Sequence, residues 1–114
     1  MSIQVTNRVV EDVSVVDVAG RITLGEGASM LRENIRDLVG KGNKKILLNL
    51  NNVSYIDSSG IGELVSGFTT VTNQGGVLKL LGLTKRVKDL LQITKLYTVF
   101  EVFDNETTAV RSFA

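Results

Sequence analysis

Ile56-Asp57-Ser58-Ser59-Gly60-Ile61-Gly62-Glu63-Leu64 decides how the rest of this chain is read. Just upstream, the apolar run Lys45-Ile46-Leu47-Leu48-Asn49-Leu50 predicts a buried strand. Downstream, Ile61, Leu64, Val65, Phe68 and Thr72 recur at the three- and four-residue intervals of one helix face. Two hydroxyls and a carboxylate therefore stand where a strand hands over to a helix. Short polar side chains at that place accept hydrogen bonds from the free N–H groups of the first turn. The same N–H groups and the helix dipole would equally stabilise a phosphate carried on one of the hydroxyls. A cap, a nucleophile and a switch are the three roles such a junction can fill.

On the N-terminal side, the Val-rich runs 3–10 and 13–19 flank Glu11-Asp12, which predicts a hairpin, and Gly20 closes the second run. After a loop holding Gly25 and Gly27, the positions Ala28, Leu31, Ile35, Leu38 and Val39 trace a helix that Gly40 and Gly42 are placed to stop. On the C-terminal side, the junction helix runs to about Asn73. Gly75-Gly76 then opens a third buried strand, Val77-Leu78-Lys79-Leu80-Leu81. Thr84 is placed to cap a helix whose face is Val87, Leu90 and Leu91. Val99–Phe103 reads as a last strand, and Asp104 as the cap of a terminal helix with Ala109, Val110 and Phe113 inward. The order β-β-α-β-α-β-α-β-α calls for a single small α/β domain over residues 1–114. Its sheet would be mostly parallel, with four to five strands, an N-terminal hairpin and about four covering helices.

Composition narrows the chemistry. The 114 residues are 43% hydrophobic and 22% charged, as expected of one ordinary globular domain. Thirteen basic against twelve acidic residues leave a formal charge of +1, so no bulk charge points to nucleic acid or anionic lipid. No apolar run approaches the roughly 20 residues of a membrane helix, and no signal peptide is evident, so a cytoplasmic location without membrane insertion is expected. Cys and His are both absent. That removes thiol nucleophiles, the Ser–His–Asp triad, the usual general base near neutral pH and most zinc sites. A non-enzymatic role without cofactor or metal follows as the expectation.

Several constellations have plain readings. Gly25-Glu26-Gly27 lacks both the Walker ending and the third glycine of a dinucleotide fingerprint, and reads as a strand-to-helix connection. Lys41, Lys44-Lys45 and Lys85-Arg86-Lys88 read as solvated helix ends. At the junction, no G-x-S-x-G frame surrounds the serines. Gly60 and Gly62 each cost about 1 kcal/mol of helix stability relative to Ala. Such residues make sense where another molecule approaches the backbone closely.

These residues carry a resemblance. Val15-Val16-Asp17-Val18-Ala19-Gly20-Arg21-Ile22, Leu48-Asn49-Leu50 leading into Asp57-Ser58-Ser59-Gly60-Ile61-Gly62, and Gly75-Gly76-Val77-Leu78-Lys79-Leu80 resemble the STAS family, the domain of bacterial anti-sigma factor antagonists, along nearly the whole chain. The resemblance implies partner switching. An unphosphorylated antagonist binds an anti-sigma factor that is also a serine kinase and so releases the sigma factor. The kinase then phosphorylates the Ser after the Asp, here Ser58, with Ser59 the second choice, and a serine phosphatase resets the switch. Asp57 would cap the helix or orient the hydroxyl. Ser59, Gly60, Ile61 and Gly62 would form the partner-binding surface together with the Thr23, Leu24 and Gly25 loop.

Thr23 departs from the family pattern, standing where many antagonists carry an Asp near the phosphorylated Ser. The exchange would remove one like-charge repulsion against a phosphate. A monomer or weak dimer is expected. One alternative is a STAS subunit of a stress-signalling scaffold or of a lipid or anion transport complex. Another is a nucleotide-binding domain using the Gly60-Ile61-Gly62 turn, which the missing Walker Lys disfavours.

Overall fold

The computed structural model describes residues 3–114. Strands β1 (Ile3–Val10), β2 (Val13–Ile22), β3 (Lys45–Ile56), β4 (Val77–Leu81) and β5 (Val102–Phe103) form one sheet in sequence order. The β1–β2 pair is antiparallel, and every later pair is parallel. Each parallel step is made through a helix: α1 (Glu26–Gly40), α2 (Ser58–Asn73) and α3 (Lys85–Ile93), with α4 (Glu106–Arg111) ending the chain. The expected α/β architecture is the one observed.

The two faces of the sheet differ. One carries the main core, where Val16, Val18, Ile22, Leu48, Leu50, Val53 and Ile56 meet Leu31 and Ile35 of α1, Leu64 and Val71 of α2, and Val87 and Leu91 of α3. The other is covered only by α4, whose Ala109 and Val110 pack on Val13, Val15, Leu47 and Leu81. Beyond that small cover the second face turns polar. Asp17 accepts from Arg8 and from Asn49 Nδ2 (2.7 Å), and Arg8 Nη1 donates to Glu106 Oε2 (2.9 Å), tying β1 to α4. Lys79, buried in β4, donates to the Ser112 carbonyl (3.0 Å) and hydroxyl (2.9 Å), with its ammonium 4.8 Å from the Phe113 ring centre. A buried ammonium needs such partners, and here they fasten the C-terminus to the sheet.

Four boundaries differ from the sequence-based expectation. β3 does not stop at Leu50 but runs on to Ile56. Between Asp17 and Ala19, β3 advances from Asn49 to Asn52, and between Gly20 and Arg21 it advances from Val53 to Tyr55. Each step inserts one extra residue into β3, a bulge. The buried positions therefore fall at Leu50, Val53 and Ile56 and not at every second residue, while Asn51, Asn52 and Ser54 face solvent. By the same pairing β2 continues past Gly20 to Ile22.

The last strand is only Val102–Phe103, because Leu96–Thr98 form a 3-10 turn entered through Lys95 at φ 60°. Phe100 is nevertheless buried, edge-on to Phe68 at 5.5 Å. The cap of α4 is Asn105, accepting from the Thr108 N–H at 3.0 Å, and not Asp104. Thr84 stands at the N-cap of α3 as expected, yet its side chain makes no capping bond.

Candidate functional site

The C-terminal ends of β2 and β3 lie side by side, with Ile22 paired to Ile56. The loop that leaves β2 and the helix that leaves β3 consequently meet. Asp57 is the N-cap of α2 in an extended conformation (φ −109°, ψ −174°). Its Oδ1 accepts from the Gly60 N–H at 2.9 Å and its Oδ2 from the Leu24 N–H at 3.1 Å. Its own N–H donates to the Ile22 carbonyl at 3.3 Å, and its carbonyl accepts from Ile61 at 3.0 Å. Burial pushes the Asp57 carboxyl up, but the converging N–H groups of Gly60, Leu24 and Ser59 and its own outweigh it and hold the group below its ordinary range. Asp57 is thus an ionised tie between loop and helix. An acceptor already engaged by these donors is poorly placed to serve as a general base.

Ser58 is the first residue of α2 and is exposed, and its hydroxyl makes no hydrogen bond to another described residue. Ser59 is half-buried. Asp57 engages the Ser59 and Gly60 N–H groups with its carboxylate and the Ile61 N–H with its carbonyl, so of the four N–H groups that a helix start leaves free, that of Ser58 remains. A hydroxyl free of partners, on the surface and at the positive end of a 16-residue helix, suits an added anionic group.

The glycines around it separate into two kinds. A Cβ on Gly60 would run into the Ile22 carbonyl oxygen and come within 2.5 Å of Ile56 Cγ1. Gly60 is therefore required by close packing of α2 on the chain's own β2 end. Gly62 faces open space with nothing near an added Cβ, so in the first turn of α2 it is Gly62, and not Gly60, that offers backbone to another molecule. Ile61 points inward, 4% exposed, and supports the turn from beneath. On the loop, Leu24 is 80% exposed directly beside the Asp57 tie, Gly25 is exposed at φ 97°, and Thr23 is half-buried, its carbonyl accepting from the Ala28 N–H at 3.0 Å. The fold therefore gathers Leu24, Gly25, Ser58 and Gly62 onto one surface, while Gly60 and Ile61 form its floor.

A model of the STAS domain matches residues 4–109. The chain belongs to the STAS domain family. Among its relatives, the anti-sigma-B factor antagonist of Bacillus subtilis (strain 168) is 38% identical over 87 residues, which cover 76% of this chain and 78% of that protein. The STAS fold recurs in the crystal structure of an anti-sigma factor antagonist from Mycobacterium paratuberculosis, with a TM-score of 0.87 at 20% identity, covering 98% of this chain and 94% of that one. It recurs again in the phosphorylated form of the Bacillus cell fate determinant SpoIIAA, with a TM-score of 0.75 at 19% identity, covering 99% and 100%. At those identities the two structures speak to the fold alone.

Two parts of this STAS site had no sequence signal for the role they fill. Ile22 reads only as the last residue of a stretch that carries the STAS resemblance, beyond the run that Gly20 closes, yet its carbonyl both receives the Asp57 N–H and dictates Gly60. Glu63 accepts from Arg32 Nη1 at 2.8 Å and so clamps α2 to α1 one turn below the serines. Both contacts depend on elements far apart in the chain.

Proposed function

We propose that this chain is an anti-sigma factor antagonist whose affinity for an anti-sigma factor with serine-kinase activity is set by phosphorylation of Ser58. One observation carries the reading: Ser58 is exposed and unpartnered at the first position of α2, while Asp57 beside it is engaged by backbone N–H groups. The name of the Bacillus subtilis relative supports the partner class. In the unphosphorylated state the partner would rest on Leu24, Gly25 and Gly62, with the helix start as a polar centre. Phosphorylation adds about −1.5 to −2 charges at neutral pH. The helix N-terminus accommodates that charge, so the fold stays as it is and the partner meets a new charge and a new bulk. Thr23 places no carboxylate in the adjoining loop, which favours retention of the phosphate until a serine phosphatase removes it. Action as a monomer or weak dimer in the cytoplasm goes with this role.

The test uses parent, Ser58→Ala and Ser58→Asp chains as baits in host lysate. An anti-sigma factor captured by the first two and lost with Asp is expected. ATP added to that captured protein should then phosphorylate the parent at Ser58, as mapped by mass spectrometry, and leave Ser58→Ala unmodified. The same proteins captured by all three baits would argue instead for a scaffold role.

A further inference from the structure

Arg21 and Tyr55 are register partners at the ends of β2 and β3, and Arg86 lies in the first turn of α3. The fold brings all three together: the Arg21 guanidinium carbon is 5.0 Å from the Tyr55 ring centre and that of Arg86 is 4.6 Å from it. Both arginines are exposed, and among the described residues neither is paired with a carboxylate, whereas Arg8 and Arg32 are. Two cations held at one ring repel each other, and the ring's negative face offsets only part of that.

The neighbouring helix start adds to the imbalance. Its first turn contains Lys85 and Arg86 and no acidic residue, the reverse of what the helix dipole favours. The Thr84 side chain gives its free N–H groups no cap, and Thr84 Oγ1 is itself buried without a partner. Asp89 offsets Lys85 at 2.9 Å, but among the described residues no carboxylate pairs with either guanidinium, so Arg21, Arg86 and the uncapped helix start concentrate positive potential at one place.

We infer that the Arg21–Tyr55–Arg86 cluster anchors an acidic, carboxylate-bearing segment of a protein partner; the identity of that partner as the anti-sigma factor rests on the function proposed above. A guanidinium stacked on a ring is pre-organised, and its N–H edge stays free to grip a carboxylate with two parallel bonds. Tyr55 precedes Asp57 by two residues and Arg21 precedes Thr23 by two, so the cluster lies at the same ends of β2 and β3 from which the Leu24–Gly25 loop and α2 depart. A net charge of +1 and a single ring favour an acidic protein over a nucleic acid, which calls for a broad basic stripe with several stacking rings.

The test compares the parent with an Arg21→Gln/Arg86→Gln chain and with Tyr55→Leu, after equal thermal unfolding has shown that the variants remain folded. Association with the anti-sigma factor captured by the parent is followed at several salt concentrations. Both variants should lose about tenfold in affinity, and the double Arg variant should show a flatter salt dependence of the association rate. Unchanged affinity and salt slope would overturn the cluster's role while leaving the Ser58 switch intact. Failure of the parent to capture any anti-sigma factor would overturn the functional reading and this assignment together. Binding of single-stranded RNA that disappears in the double Arg variant would replace the protein partner with a nucleic acid.

Discussion

The Asp57 carboxylate accepts the Leu24 backbone N–H at 3.1 Å, across 33 residues of sequence, while its other oxygen caps α2 through Gly60. One side chain therefore fixes the loop after β2 against the start of α2. The exposed Leu24 and the exposed Ser58 are thereby held in a constant relationship, although they stand on segments far apart in the chain.

Removing this tie should be felt in both segments. Asp57→Ala should cost about 1–2 kcal/mol, the usual loss for a good cap. For a domain of this size each kcal/mol lowers the melting temperature by about 4–8 °C. Hydrogen exchange is the more specific readout: the Leu24 and Gly60 amides should exchange faster, with the β3–β4 amides unchanged. Uniform acceleration across the sheet would mean that Asp57 acts globally and not as a tie.

The two glycines of the first turn should respond with opposite sign. Gly60→Ala places a methyl group against the Ile22 carbonyl and Ile56, so it should destabilise strongly, by about 1–3 kcal/mol as for overpacking. Gly62→Ala meets nothing and should stabilise the chain by roughly 0.5–1 kcal/mol, the difference in helix propensity. Denaturant unfolding measures both. Partner binding adds a second readout, because the stabilised Gly62→Ala chain should bind more weakly where the partner rests on that backbone.

Acid should destabilise the fold in a defined way. Besides Asp57, the Asp12, Asp17 and Glu106 carboxyls are held below their ordinary range, Asp12 chiefly by a hydrogen bond from Lys45 and the other two chiefly by hydrogen bonds from Arg8. A carboxyl depressed in the folded state stabilises it fully above the unfolded pKa, and that contribution is lost as pH falls through the folded value. Stability should therefore hold from neutral pH to about pH 5 and decline below about pH 4. Arg8→Met removes the partner of two of the four groups, so urea midpoints measured between pH 7 and pH 3 should fall less steeply for that variant. Parallel curves for parent and variant would contradict the assignment.

Phosphorylation should leave the fold intact. Amide shifts between parent and Ser58-phosphorylated chains should be confined to residues 20–27 and 57–66, the two segments that meet at Asp57. Shifts spread through β4, β5 or α4 would indicate refolding and not a local charge switch.

Much of this was legible in the sequence because periodicity and punctuation agreed. The faces Ala28–Leu31–Ile35–Leu38 and Ile61–Leu64 are buried as their spacing implies, and Gly40 is the last residue of α1, with Gly42 two residues beyond it at φ 88°. Failures arose where local pattern and tertiary pairing part company. The extra residues in β3 break its alternation, so Asn51, Asn52 and Ser54 look like loop although they continue a strand. Asp104 and Asn105 are both good caps, and only the path of the chain into α4 selects the second. Gly60 and Gly62 look equivalent in sequence, whereas one faces Ile22 and the other faces solvent. Arg86 reads as a solvated helix end, Arg21 only as part of the stretch that carries the STAS resemblance, and Tyr55 has no reading of its own, since nothing local reveals that the three converge.

The central claim is that the charge on Ser58 controls partner binding. Its most direct test is the dissociation constant of the captured anti-sigma factor for the unphosphorylated chain and for the same chain phosphorylated at Ser58. Like-charge juxtaposition in an interface costs several kcal/mol, and each 1.4 kcal/mol is tenfold, so the phosphorylated form should bind at least about 100-fold more weakly. Equal affinities for the two forms would contradict the account.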